Sequence, residues 1–403
     1  MKHMLLILCL LSFLLVTLSA EMQTVQRQRA IVRSGAGLFY PVIAELTQGT
    51  QMDVHNSING WLEITLHDSV GFVSAKVTKT QESGDNPFLK MASGGDVRLS
   101  RHGMSAGVKG FASRFTKAFG GDVSFHEIYA SYQLDPTVYR RFERNTPPAT
   151  PSIPLPAISV QDYFSFSEAG MGIAIASRIA QLGLLQNPAV QDYVNCVGTR
   201  VAAMSHGYDV GFRFFVLDAD AANAYACPGG VVFITRGMMQ SLESEAELAL
   251  ILGHEIAHVV LRHGMQEMEK RKHHIKSDDA FAQMDEEFEK MGEPMDAEYQ
   301  AVEEEMDAMA LEIYDTIYQG RMDAYEVEAD RFGALYAARA GYNARLLNGL
   351  LHRLLVSSPG STNEHYTPSQ IQTRIDALLL SSVAAPRGSI NEQQRYQHYK
   401  ALL

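Results

Sequence analysis

The ten residues Ile251–Val260, ILGHEIAHVV, constrain this chain more than any other stretch, because two histidines and a glutamate interrupt an otherwise apolar run. Ionisable groups buried without partners cost several kcal/mol, so a fold that buries this run must compensate them. A bound metal ion would do so. Around the run, SEAELALILGHEIAHVVLRHG carries its own helix signals: Ser244 followed by Glu247 has the form of a capping box, and Gly264 is placed to end the helix. On that helix His254 and His258, four residues apart, share one face, so both imidazoles can reach a single ion. Glu255 points to the adjacent sector, beside the ion but outside its coordination positions. This is the H-E-x-x-H pattern, in which two histidines hold zinc and the glutamate acts as general base.

A catalytic zinc site needs a third protein ligand and one open position. The metzincin arrangement would require histidine at residue 264 and glycine at 261; the chain has Gly264 and Leu261, which excludes it. His263 is one residue out of register and is expected to face elsewhere. Downstream, DAYEVEADRFGALYAARAGY offers Glu326 and Asp330 one helical turn apart. Glu326 can ligate the ion while Asp330 accepts a hydrogen bond from the far nitrogen of a ligand histidine. Glu328 is in the wrong phase to share that face. On spacing alone Glu326 is one candidate among several glutamates, since the stretch from Gln266 to Tyr318 is rich in them.

HEIAHVVLRH, the later EVEAD and the earlier NAYACPGGVVFITRGMM together resemble the HtpX-like and BepA-like zinc metallopeptidases, gluzincins related to the CAAX prenyl proteases. The resemblance extends over about residues 166–380. It implies one zinc ion per chain held by His254, His258 and Glu326, with Glu255 as catalytic base and Asp330 as the partner of a ligand histidine. It further implies that Asn223, Ala224, Tyr225, Ala226, Gly229 and Gly230 belong to an edge strand beside the cleft, where an extended peptide binds through its backbone. Family members usually carry a C-terminal H-P motif before R-I. In NEHYTPSQIQTRI, His365 is present but Pro368 is displaced from it, so an oxyanion or metal-capping role for His365 rests on a departed pattern. Arg374 is expected to be structural or substrate-positioning.

Elsewhere, residues 30–79 are strand-like, with turns at SINGW and HDSVG, and resemble bacterial SH3-like domains, which are usually docking modules for cell-wall or protein ligands. Trp61 reads as core. The expected architecture is therefore α+β: a mainly helical zincin-type peptidase domain with a small edge sheet, preceded by a small all-β SH3-like barrel. Residues 1–20 have the layout of a secretory signal peptide, which if retained would form a short anchor. A linker and helical spacer, with helical candidates at Ser105–Phe119 and Pro136–Arg144, occupies residues 80–156. NTPPATPSIPLP forms its stiff end. The peptidase domain takes residues 157–385 and a tail residues 386–403. The acidic, Met-rich insertion between the ligand motifs reads as a solvated element and a candidate lid.

A net charge of −12 argues against nucleic acid as a partner. Past the signal, Cys196 and Cys227 remain; in an exported chain they either pair or sit as small buried residues, and spacing does not decide between them. The expected activity is zinc-dependent hydrolysis of internal peptide bonds in unfolded or misassembled envelope proteins, in the periplasm. A zinc-containing chaperone or adaptor is the alternative, and a cell-wall amidase is a third reading.

Overall fold

The computed structural model describes residues 21–27, 29–66, 69–79, 116, 120–158, 166–264, 311, 313–315, 317, 323–357, 368–378 and 390–403. The signal peptide, the linker Gln81–Phe88, all but Thr116 of the helical candidate at 105–119, most of the acidic insertion, and His365 lie outside the described residues. The chain divides into two compact units, Met1–Ala36 with Tyr40–Gln81, and Gly37–Phe39 with Glu82–Leu403.

In the first unit six strands form one antiparallel sheet: β1 (Glu21–Thr24), β2 (Arg29–Arg33), β3 (Val42–Thr47), β4 (Gln51–Ile58), β5 (Trp61–Leu66) and β6 (Ser69–Ser74). Their order is β1-β4-β5-β6-β2-β3, so β1 and β3 are edges that pair on one side only. The expected SH3-like barrel is therefore corrected to an open sheet. Closure would require the two outermost strands to pair with each other. Instead the ladder is interrupted by register shifts at Val32/Arg33 and Val54/Asn56, and β2 meets β6 at Arg33↔Phe72. Alternate residues of the strands, including Val32, Met52, Val54, Ile64 and Val73, make the apolar core of this unit. Trp61 is 4% exposed.

The second unit is built on a three-stranded sheet of β7 (Arg213–Leu217), β8 (Ala224–Cys227) and β9 (Val231–Thr235), in the order β7-β9-β8. β7 runs parallel to β9 and β8 antiparallel to it. Both faces of this sheet are covered, which is why its strands read as nearly continuous apolar runs. Phe214, Val216, Ala224, Ala226, Val232 and Ile234 face one core; Phe215, Leu217, Tyr225, Cys227, Val231 and Phe233 face the other.

The helices are α1 (Ser124–Ser131), α2 (Pro136–Arg144), α3 (Phe166–Ile179), α4 (Pro188–Ala203), α5 (Arg236–Ser241), α6 (Glu245–Val260), α7 (Asp323–Arg339), α8 (Leu346–Ser357), α9 (Pro368–Leu378) and α10 (Ile390–Lys400). The larger core draws on α2, α4, α6, α7, α8, α9 and α10, whereas α1 and α3 cover the other sheet face. α4 begins with Asn187 as cap and Pro188 in the first turn, a residue pair suited to a helix start. The proline-rich segment after α2 is held from the core: Arg200 donates to Pro147 O, Arg339 to Pro151 O and Ile153 O, and Thr150 N to Arg339 O. Among the described residues no helix is long and apolar enough to cross a membrane.

Candidate metal centre

α6 is buried from end to end, and its N-terminus is fixed as the sequence suggested. Ser244 Oγ accepts from Glu247 N at 3.3 Å, and the Glu247 carboxylate accepts from Glu243 N at 2.7 Å. Glu245, 0% exposed, is a buried charge satisfied on all sides: Arg395 of α10 donates twice at 2.5 Å, and Tyr193 and Tyr342 each donate at 3.1 Å. The stretch read as a tail thus carries the helix that anchors the start of α6.

α6 and α7 cross backbone against backbone. A Cβ on Gly253 would lie 2.7 Å from Gly333 O, and one on Gly333 would lie 2.5 Å from His254 N. This close approach brings Glu326 of α7 to the two histidines of α6. Glu326 Oε2 lies 3.3 Å from His254 Nε2, Glu326 Oε1 lies 3.3 Å from His258 Nε2, and the two Nε2 atoms are 2.9 Å apart. Tetrahedral zinc with nitrogen and oxygen ligands has donor–donor edges of about 3.3 Å, so this triad has the spacing to hold such an ion. The three residues form a group able to bind a metal, and the donor set of two imidazoles and one carboxylate suits it. Glu255, the neighbour of His254, is 2% exposed.

Behind each histidine stands a support. His254 Nδ1 is 2.8 Å from Asp330 Oδ1, and Asp330 in turn accepts two bonds of 2.7 Å from the Arg374 guanidinium. Burial would raise the Asp330 pKa, but Arg374 and then His254 outweigh it and hold the carboxyl below its usual range. Burial likewise works to lower His254, yet its bonds to Asp330 and Glu326 carry it up to about 9. Arg374 also reaches Glu326 Oε2 at 3.2 Å, so α9 is tied to both α7 carboxylates. The carboxylates of Glu326 and Asp330 thus meet a single guanidinium, that of Arg374, beside the two histidines.

Two sequence expectations change here. Gly264 does not end α6; the helix stops at Val260, and Arg262 takes a left-handed conformation with φ of 56°. For a residue other than glycine this costs about 1–3 kcal/mol, which the surrounding packing must hold. The reversal turns His263 back toward the site, where its Nδ1 lies 2.8 Å from His258 Nδ1; the sequence register had it facing elsewhere. Glu328, out of phase with Glu326 as expected, meets His263 Nε2 at 3.4 Å. Missing glycine at position 262 left no signal for this turn.

Asn223, Ala224, Tyr225 and Ala226 lead into and form the edge strand β8; all are buried, and β8 packs against α6 and α3. Gly229 and Gly230 make the turn into β9 with φ of 76° and 101°, values glycine adopts readily. Cys196 and Cys227 are both free and buried, in different cores, so the small-residue reading is the one realised.

Residues 188–380 match the family model described as Peptidase family M48, and residues 29–79 that of the Bacterial SH3 domain. A beta-barrel assembly-enhancing protease of Yersinia pestis is 33% identical over 93 residues, 23% of this chain and 19% of the relative. One of the same name from Escherichia coli K12 is 32% identical over 89 residues, 22% and 18% of the two chains. The mitochondrial metalloendopeptidase OMA1 of Schizosaccharomyces pombe is 36% identical over 76 residues, 19% and 23%. The chain spans about a fifth of the length of these relatives. With the histidine–histidine–glutamate triad lying inside the matched segment, the chain carries an M48-family metallopeptidase domain preceded by a bacterial SH3-like domain.

Proposed function

We propose that this protein is a zinc-dependent endopeptidase that hydrolyses internal bonds of unfolded or misassembled envelope proteins. The observation that carries the reading is the triad of the buried His254 and His258 with the partly buried Glu326, Glu255 adjoining it in sequence, on two helices locked together by Gly253 and Gly333. Bound there, zinc would supply Lewis acidity toward a scissile carbonyl and lower the pKa of water. His254 and His258 offer their Nε2 lone pairs, and Glu326 its carboxylate, as the holding groups. Glu255 takes a proton from the attacking water and delivers it to the leaving amine. Asp330, fixed by Arg374, orients His254. β8, an edge strand beside α6, supports binding of an extended substrate segment by backbone pairing, with Asn223 to Ala226 and the Gly229–Gly230 turn at its margin. The names of the Yersinia and Escherichia relatives support an envelope-assembly substrate and, with it, a periplasmic location. The SH3-like domain would serve as the docking module for a protein or cell-wall ligand.

The test is casein degradation with zinc quantified in the same sample, for wild type and Glu255→Gln. The expected result is about one zinc per chain in both, with cleavage by the wild type alone. Full zinc-dependent proteolysis by Glu255→Gln would remove Glu255 as the base. Zinc in both and cleavage by neither would favour a binding protein.

A further inference from the structure

We infer that His263 is a positioning residue that fixes the tautomer of His258 and so makes its Nε2 available to the metal. The inference rests on the metal reading of the triad. His258 points Nε2 at Glu326 and at His254 Nε2, so coordination through that atom requires its proton to sit on Nδ1. The group facing Nδ1 at 2.8 Å is His263 Nδ1. Two nitrogens at that distance share one proton: His258 Nδ1–H donates and His263 Nδ1 accepts. His263 must then carry its own proton on Nε2, the atom turned toward Glu328 Oε2 at 3.4 Å. Each imidazole of the pair His258–His263 therefore has one proton arrangement compatible with metal held at His258 Nε2.

The placement of His263 is built. It is 0% exposed and its ring stacks on Tyr325, with centroids 4.6 Å apart and an interplanar angle of 25°. The left-handed Arg262 turns it into place. The arrangement parallels the other ligand, where Asp330 receives Nδ1–H of His254. One ligand is thus backed by a carboxylate and the other by a second imidazole. Such outer partners are commonly worth about 10- to 100-fold in metal affinity.

Three measurements on the full chain decide the matter. Long-range proton–nitrogen spectra of the zinc-loaded wild type, with labelled histidine, should show His263 protonated on Nε2 and bare on Nδ1. His263 protonated on Nδ1 would overturn the inference, and this needs no substitution that could unfold the protein. Chelator competition for zinc should show His263→Leu weakened by about 10- to 100-fold. His263→Asn, whose amide oxygen stands where Nδ1 stood, should recover most of that loss, which a merely space-filling role would not produce. A His263→Leu protein with wild-type affinity, or an Asn variant no better than Leu, would overturn the inference alone. A wild type that binds no zinc would overturn the metal reading and this inference with it.

Discussion

Asp330 is 1% exposed and makes three charge-assisted contacts, to Arg374 twice and to His254 once. Asp330→Asn removes the charge opposite a buried guanidinium, a kind of change that destabilises by about 3–5 kcal/mol. Thermal melting should register it, and chelator competition should show zinc affinity reduced by about 10- to 100-fold. Cys196 offers a contrasting residue. Burial first, then the carboxylates of Asp192 and Glu245, push its thiol up to about 12. Iodoacetamide at pH 8 should therefore leave Cys196 unmodified in the folded protein and alkylate it after denaturation. Rapid labelling under native conditions, read by mass spectrometry, would contradict the burial. At this scale the sequence was informative where chemistry is local. His254 and His258 follow from a four-residue spacing on one helix; Glu326 and Asp330 share such a spacing on another, but among the many glutamates only the family resemblance singled Glu326 out. His263, Glu328 and Arg374 could not be placed that way, because a left-handed arginine and a contact between distant helices decide their positions.

Among elements, the pairing of α6 with α7 governs the site. Gly253 and Gly333 permit backbone contact, and no other residue type fits without separating the helices. Gly333→Ala is expected to keep the protein folded at reduced stability while moving Glu326 away from the histidines. Zinc affinity should fall much more than melting temperature does. An alanine variant that binds zinc as tightly as wild type would show that the crossing tolerates separation. The capped start of α6 was readable from Ser244 and Glu247, since caps are local devices. Closure of the N-terminal sheet was not readable: strand alternation reports which face is buried but not whether the first and last strands meet. The short β1, outside the stretch read as the SH3-like domain, adds an edge that periodicity did not reveal.

For the molecule as a whole, the two units keep separate apolar cores, and all the triad residues belong to the second. The peptidase unit is legible as helices around a doubly covered sheet because β7, β8 and β9 are apolar on both faces. What holds that unit's site together is spread widely along the chain: histidines from α6, a carboxylate from α7, the guanidinium of Arg374 from α9 and that of Arg395 from α10. A ribosome releases these in that order. A nascent chain therefore exposes both histidines long before Glu326, and Glu326 before the arginine that braces it. Ligand capture is consequently a late event, and a chain stalled short of residue 374 should take up zinc poorly when isolated and titrated, even though its three metal-binding residues have all been synthesised.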